Sequence, residues 1–294
     1  MLHSPVMARR FWSIPGNSQR LDGGAMYGNA PRSLWSRWSE PDDRGRIPLA
    51  CRAMLVEDEG KRILFEAGIG AFFPPKLRDR FGVQEQDHVL CASLAAIGLT
   101  DADIDVVVLS HLHFDHVGGL LEPFAEGQPA ALLFPKARFV VSRSAWQRAL
   151  EPHLRDRVSF IKELQPMLEG TGRLEIVDGD RCDALGPDYP LHFSDGHTPG
   201  MMLTEVPSAD GAVVFAGDLV PGKPWVHLAI TMGYDRYPEL LIDEKQALLG
   251  DLVSRQGRLF FTHDAETAVC RVTQDDRGRF VPTDPQSTVH DQAL

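Results

Sequence analysis

Four side chains of types that bind metal ions lie within six residues of this chain. They are His111, His113, Asp115 and His116, and they directly follow the apolar run 106–109. Such a run is typical of a buried strand. Imidazole nitrogen and carboxylate oxygen suit a divalent ion such as zinc, and alternate positions on a rigid turn can serve two ions at once. The spacing therefore predicts a metal site at the C-terminal end of a strand.

Three later segments each place a further His or Asp shortly after an apolar stretch that reads as a strand. These residues are His197, Asp218 and His263. Strand ends that present ligands can converge on one rim of a fold. Because the candidate ligands span residues 111–263 and must meet in space, we expect one domain over most of the chain.

Together these segments resemble the metallo-β-lactamase superfamily over residues 47–263. The resemblance implies an α/β fold, an αββα sandwich of two mixed sheets flanked by helices. It also implies two metal sites that share one carboxylate: His111, His113 and His197 at the first, Asp115, His116 and His263 at the second, and Asp218 between them. An Asp rather than a Cys at the shared position argues against a true β-lactamase.

The implied activity is that of a metal-dependent hydrolase with two divalent ions as cofactors. Zinc is the expected metal, although manganese, cobalt and iron accept the same ligands. Seven ligands for two ions leave coordination positions open for a bridging hydroxide, which serves as the nucleophile, and for substrate oxygen. Asp115 and Asp218 are the expected catalytic carboxylates, with Asp115 a candidate to return a proton to the leaving alkoxide.

Metal-bound histidines need hydrogen-bond partners for their second ring nitrogen. Glu66 and Asp264 are the candidates in this chain. The superfamily usually carries an Asp at the position of Glu66, so the longer side chain implies a local difference in geometry.

Less specific motifs at residues 22–28, 46–48 and 232–235 resemble the YtnP-like branch of N-acyl homoserine lactone lactonases. The resemblance implies hydrolysis of the lactone ring and hence quorum quenching. Lactonases of this group place a Tyr three residues after the shared Asp, where this chain has Pro221. Either Tyr27 or Tyr234 replaces it from another loop, or the substrate differs.

Several apolar or aromatic side chains near the motifs are candidates for substrate binding, with core packing as the alternative. They are Phe72, Phe73, Met201 and Trp225. His227 is a further candidate, with a histidine on a loop as the alternative. Other activities on the same metal site are a phosphotriesterase or arylesterase of the methyl parathion hydrolase type and a thioesterase. A non-catalytic metal-binding or regulatory protein is the alternative from another class.

Composition limits the partners of the chain. Its 294 residues carry a formal net charge of −11, which argues against nucleic acid and anionic membranes as partners. No segment approaches the roughly 18 apolar residues of a membrane span. The four cysteines are scattered and indicate a reduced, cytoplasmic protein. We expect a small ester or lactone as substrate. The sequence leaves the oligomeric state open, with a homodimer as one candidate.

Residues 1–46 are rich in Gly, Pro, Ser and Trp and predict an irregular arm packed on a single domain of residues 47–294. A hairpin is expected around the turn 57–61, and a second around 274–278, with a loose tail from Thr283. Apolar spacing predicts helices over 90–97, 144–150, 154–168 and 240–253.

Overall fold

The computed structural model describes residues 9–294. Its strands, numbered in chain order, are β1 Arg10–Ile14, β2 Gln19–Asp22, β3 Arg46–Leu49, β4 Ala53–Asp58, β5 Lys61–Phe65, β6 Val106–Val108, β7 Arg138–Ser142, β8 Leu174–Val177, β9 Leu191–Ser194, β10 Met201–Val206, β11 Val213–Phe215, β12 Arg258–Phe260, β13 Val269–Gln274, β14 Phe280–Gln286 and β15 Gln292–Ala293. The α-helices are α1 Gly23–Met26, α2 Arg32–Trp35, α3 Pro75–Arg80, α4 Val89–Ala96, α5 Phe114–Val117, α6 Arg143–Leu150, α7 Leu164–Gly170 and α8 Pro238–Arg255.

The strands form two large mixed sheets and a small ribbon. One sheet has the order β15-β1-β4-β5-β6-β7-β8, and β5 to β8 pair in parallel. The other has the order β14-β13-β12-β11-β10-β9, and only its β11–β12 pair is parallel. The ribbon pairs β2 with β3.

The two sheets pack face to face over a buried apolar layer. Phe65 of the first sheet stacks on Phe215 of the second, with 5.8 Å between ring centroids. Trp146 of α6 and Leu168 of α7 pack on the outer face of the first sheet, and Leu249 of α8 packs on the outer face of the second. The predicted αββα sandwich is therefore confirmed.

Both predicted hairpins form, as β4–β5 and β13–β14. The helices predicted over 90–97, 144–150 and 240–253 correspond to α4, α6 and α8. The helix predicted over 154–168 is wrong for its first half, because only α7 and a 3₁₀ turn at Arg157–Ser159 form there. Asp156 in this stretch accepts hydrogen bonds from the side chain of Arg148 and does not continue a helix.

The two ends of the described range, residues 9–294, are more regular than expected. Residues 10–14, predicted as irregular, form β1 inside the first sheet, and the predicted loose tail extends β14 and then forms β15 on the edge beside β1. Five residues are too few to give a period in sequence. The part of the predicted arm before residue 9 lies outside the described residues.

Among residues 9–294, no helix has the length and apolarity needed to cross a bilayer. The four cysteines are free thiols, and three of them are buried.

Candidate active site

Four segments that follow strands β6, β9, β11 and β12 deliver the predicted ligands to one edge of the sandwich. The buried strand β6 leads through Leu109 and Ser110 to His111 and His113, and α5 then carries Asp115 and His116. Strands β11 and β12 run parallel in adjacent positions. Their carboxyl ends therefore meet at one edge, where Asp218 and His263 follow them. His197 lies between β9 and β10, and the amide of Met202 donates to the carbonyl of Ser110 across the two sheets.

The seven predicted ligands lie together and form two clusters of donor atoms. In the first, His113 Nδ1 lies 3.0 Å from His111 Nε2 and 3.2 Å from His197 Nε2. In the second, His116 Nε2 lies 3.2 Å from His263 Nε2. Asp115 completes the second cluster, whose donor atoms lie within 4.8 Å of one another.

Asp218 lies between the two clusters. Its Oδ2 is 3.2 Å from His197 Nε2 and 3.3 Å from His116 Nε2, and its Oδ1 is 3.2 Å from His263 Nε2. One carboxylate therefore contacts histidines of both clusters, which is the arrangement that a shared ligand requires.

The donor set fits two divalent cations. His113 Nδ1 faces two other ring nitrogens, and one proton shared among the three satisfies only one of those contacts. Nitrogens bound to a tetrahedral zinc ion at 2.0–2.1 Å lie about 3.3 Å apart, close to the spacings observed in both clusters. A cation in each cluster satisfies all of these lone pairs at once.

Hydrogen bonds at Nδ1 orient three of the histidines. His116 Nδ1 lies 2.7 Å from Glu66 Oε2, and His263 Nδ1 lies 2.6 Å from the carbonyl oxygen of Ala50. His197 Nδ1 lies 2.8 Å from Asp235 Oδ1. Because each acceptor needs a proton on Nδ1, the Nε2 lone pair of each ring is directed into the site.

Ser110 extends this network to His111. Its hydroxyl donates to Glu66 Oε1 and lies 2.9 Å from His111 Nδ1. Since the single hydroxyl proton goes to the carboxylate, the serine oxygen accepts from His111 Nδ1 and leaves His111 Nε2 with its lone pair. Glu66 thus reaches one histidine of each cluster. His113 differs, because its buried Nε2 has no hydrogen-bond partner among residues 9–294.

The site carries an excess of buried negative charge when no cation balances it. Burial disfavours protonation of His116 and His263, yet the carboxylates around them, Asp218 above all for His263, hold both pKa values well above the usual range. Burial, reinforced by the charge of neighbouring histidines, instead lowers the pKa of His113 to about 3. Burial also opposes ionisation of Asp218, but contacts with His116 and His263 keep its pKa well below normal.

A cavity of about 380 Å³ opens over the two clusters. Ligand residues form its polar floor, and its remaining lining is largely apolar: Leu21, Met26, Phe81, Phe114, Val158 and Met232. Tyr234 lies in the same lining with 43% of its surface exposed. Burial of its hydroxyl and the charge of Asp115 raise the pKa of Tyr234 to about 12, so the hydroxyl is a donor at neutral pH. Arg155 closes one side by donating to the carbonyl of Gly233 at 2.7 Å.

Three of the predicted aromatic contacts with substrate lie outside the lining of this cavity. The rings of Phe72 and Phe73 meet at a tilt of 33°, with 4.0 Å between centroids. Phe73 is buried in the core, and Phe72 is partly buried against it. Phe81 and Phe114, which adjoin Phe73, line the cavity instead. Tyr27 is fully buried, with its hydroxyl 2.7 Å from Ser39 Oγ, and therefore does not replace the missing Tyr.

Three further predicted contacts lie elsewhere. Met201 is buried in the core of the second sheet. Trp225 stacks on Tyr27, with 4.7 Å between centroids. Trp225 and His227 line a separate cleft of about 840 Å³, which touches the ligand set only at His263.

Of the two predicted hydrogen-bond partners of ligand histidines, Glu66 occupies that position and Asp264 does not. The carboxylate of Asp264 accepts instead from the amides of Lys223, Glu266 and Thr267 and organises its own loop. The partner of His263 is the backbone carbonyl of Ala50, which cannot be predicted from residue type.

Sequence reasoning missed Gln19 and Asp235. Gln19 of β2 is fully buried, and its Nε2 donates to Asp115 Oδ2 at 3.0 Å. It came from the segment predicted as an irregular arm, where no spacing signal marked it. Asp235 belongs to the motif at residues 232–235 that resembles the lactonases, but nothing in that motif indicates a hydrogen bond with His197.

Comparison with known proteins agrees with this geometry. Residues 46–263 match the family model of the metallo-β-lactamase superfamily. An N-acyl homoserine lactonase of Bacillus thuringiensis is 27% identical over 242 residues, covering 77% of this chain and 85% of the relative.

Solved structures share the fold over nearly the whole chain. The crystal structure of a probable metal-dependent hydrolase from Staphylococcus aureus has a TM-score of 0.84 at 24% identity and covers 99% of this chain and 100% of that one. AidC, a dizinc quorum-quenching lactonase, has a TM-score of 0.74 at 20% identity, with 96% of each chain covered.

The chain therefore belongs to the metallo-β-lactamase superfamily. The prediction of a hydrolase of this superfamily is confirmed at that level. The identity and number of the metal ions and the role of Asp115 as a proton donor stay predictions.

Proposed function

We propose that this protein is a lactonase that opens the ring of N-acyl homoserine lactones and uses two zinc ions. The observation that carries the proposal is the cavity over the two donor clusters, with a floor of ligand residues and a largely apolar wall. An N-acyl homoserine lactone has a polar head group and an aliphatic tail, which match the polar floor and the apolar wall of the cavity. The similarity to the Bacillus thuringiensis lactonase supports the same substrate class.

Two divalent ions held by these residues would supply Lewis-acid chemistry for attack of water on a carbonyl at neutral pH. The chain's own contribution is to hold the ligands rigid. Glu66, Asp235 and the carbonyl of Ala50 fix the ring orientation of three histidines, and Gln19 does the same for the carboxylate of Asp115.

Tyr234 is our proposed replacement for the tyrosine that related lactonases carry where this chain has Pro221. Its hydroxyl stays protonated at neutral pH and it lines the cavity above the ligands. A donor placed there stabilises the developing negative charge on the carbonyl oxygen. The apolar lining then holds the acyl chain.

The test is a panel assayed with zinc-reconstituted protein: acyl homoserine lactones of graded chain length, an aryl phosphotriester and an acyl thioester. We expect kcat/KM for the best lactone to exceed the other classes by at least about a hundredfold, equivalent to roughly 2.7 kcal/mol of transition-state binding. A phosphotriester or thioester preferred by that margin overturns the proposal. The cytoplasmic location and the homodimer stay predictions.

A further inference from the structure

Helix α8 contains a lysine in an unusual place. Lys245 has no exposed surface, and its Nζ donates to the carbonyl of Ile230 at 2.6 Å and to that of His227 at 3.2 Å. Burial lowers the pKa of Lys245 to about 8, although the charge of Asp235 opposes that shift. Burying an amine in the core is unfavourable unless its hydrogen bonds are satisfied. The two carbonyls accept those hydrogen bonds and so offset the cost of burying Lys245.

The loop held by Lys245 leads directly to the partner of a predicted ligand. Residues 227–230 continue into Asp235, whose Oδ1 lies 2.8 Å from His197 Nδ1. The other carboxylate oxygen of Asp235 accepts from the amide of Met232 at 2.6 Å. The orientation of Asp235 therefore depends on the path of this loop across α8.

Glu244, the neighbouring residue of the same helix, holds the segment just before His197. Glu244 accepts from Ser194 Oγ at 2.6 Å and from the amides of Asp195 at 2.9 Å and Gly196 at 3.1 Å. Gly196 lies so close to the helix that a Cβ there would come within 2.5 Å of Leu241 Cα. His197 is the next residue, so the segment before the ligand is fixed on α8.

We propose that Glu244 and Lys245 are positioning residues and that α8 braces the first donor cluster by holding His197 and Asp235 in register. Neither side chain contacts a ligand residue's donor atom; Glu244 acts through the backbone of residues 195–196, and Lys245 acts through the loop that carries Asp235. The inference rests on the proposed function, since it assigns His197 to a bound metal ion.

The brace is tested with Lys245→Met, which keeps length and removes both donors, and with Glu244→Ala. Glu244 is only partly buried, so its variant keeps the fold even where Lys245→Met does not. Leu249→Ala is the matched control, because Leu249 is buried on the same helix and touches neither loop through a hydrogen bond. The measurements are zinc affinity by chelator competition, the visible spectrum of the cobalt-loaded protein, and kcat and KM.

We expect both brace variants to bind one of the two ions about tenfold more weakly, as loss of outer hydrogen bonds around metal ligands typically does. The other ion should bind as in wild type, the cobalt spectrum should change, and kcat should fall with little change in KM. Glu244→Gln should restore much of the affinity, because its amide oxygen still accepts a hydrogen bond. Leu249→Ala should lower Tm without altering zinc affinity.

Unchanged zinc affinity and cobalt spectrum in both brace variants overturn the brace while leaving the metal centre intact. An equal loss of affinity in Leu249→Ala also overturns it, because the effect is then general destabilisation. Wild-type protein that binds no metal overturns the proposed function itself, and the brace with it.

Discussion

Glu66→Gln should weaken metal binding in one of the two clusters, through a change of tautomer or the loss of an acceptor. Glu66 is fully buried and accepts from His116 at 2.7 Å and from Ser110. If the new amide oxygen accepts from His116, the amide NH2 must face Ser110. The serine proton then has to point to His111 Nδ1, which moves the proton of His111 to Nε2 and removes that lone pair from the site. The opposite orientation of the amide disrupts His116 instead.

The magnitude follows from the hydrogen bonds that are exchanged. A hydrogen bond to a charged group contributes about 1.5–3 kcal/mol and a neutral one about 1 kcal/mol, so the exchange removes roughly 0.5–2 kcal/mol. That corresponds to about twofold to thirtyfold in zinc affinity. Ser110→Ala removes only the connection to His111 and should weaken one ion alone.

The assay is chelator competition on wild type, the two single variants and the double variant. In the double variant the misdirected serine proton is absent, so the combined loss should be smaller than the sum of the single losses. Strictly additive losses, or a Glu66→Gln protein with wild-type affinity for both ions, refute the tautomer reasoning.

Three further predictions concern single side chains. Gln19→Leu removes the amide that donates to Asp115, so we expect the affinity of the protein for one of its two zinc ions to fall about tenfold or more. Wild-type affinity in a zinc titration contradicts the role of Gln19 in holding Asp115. Tyr234→Phe should lower kcat/KM for the best lactone about tenfold, whereas Tyr27→Phe should lower Tm and leave kcat/KM unchanged; the reverse pattern assigns the donor to Tyr27. The pKa of Lys245 is about 8 in the folded protein and ordinarily 10.5, so between these pH values the folded state has lost a proton that the unfolded chain keeps. The free energy of unfolding should therefore gain about 3 kcal/mol from this group as pH rises from 8 to 10.5. Urea titrations should show that gain missing in Lys245→Met, and an identical pH dependence in both proteins contradicts it.

Sequence alone was sufficient where chemistry and periodicity coincide. The valines of β6 followed by His111 and His113 indicate both a buried strand and the ligands at its end. The parallel pair β11–β12 places Asp218 and His263 at one edge, as expected from the apolar stretches before them. The wrong predictions concern contacts made across the fold. Nothing near Asp264 in the chain reveals that the carbonyl of Ala50 takes the place beside His263.

The arm shows the same limit. Gln19 reaches Asp115 because β2 pairs with β3 and brings the amide over the site, a pairing of segments that are separately irregular in composition. Phe72 and Phe73 look like a loop motif beside a metal site. Phe73 nevertheless packs on Phe81 and Phe114 and is buried in the core, and Phe72 is partly buried against it. Residue type and spacing can predict a metal ligand, whereas the hydrogen-bond partners of that ligand depend on tertiary contacts.

The most direct measurement is anomalous diffraction at the zinc absorption edge from crystals of zinc-reconstituted protein. We predict two peaks per chain, both in contact with Asp218: one among His111, His113 and His197, the other among Asp115, His116 and His263. The absence of any peak, or a single peak away from these residues, contradicts the assignment of a two-metal hydrolase site.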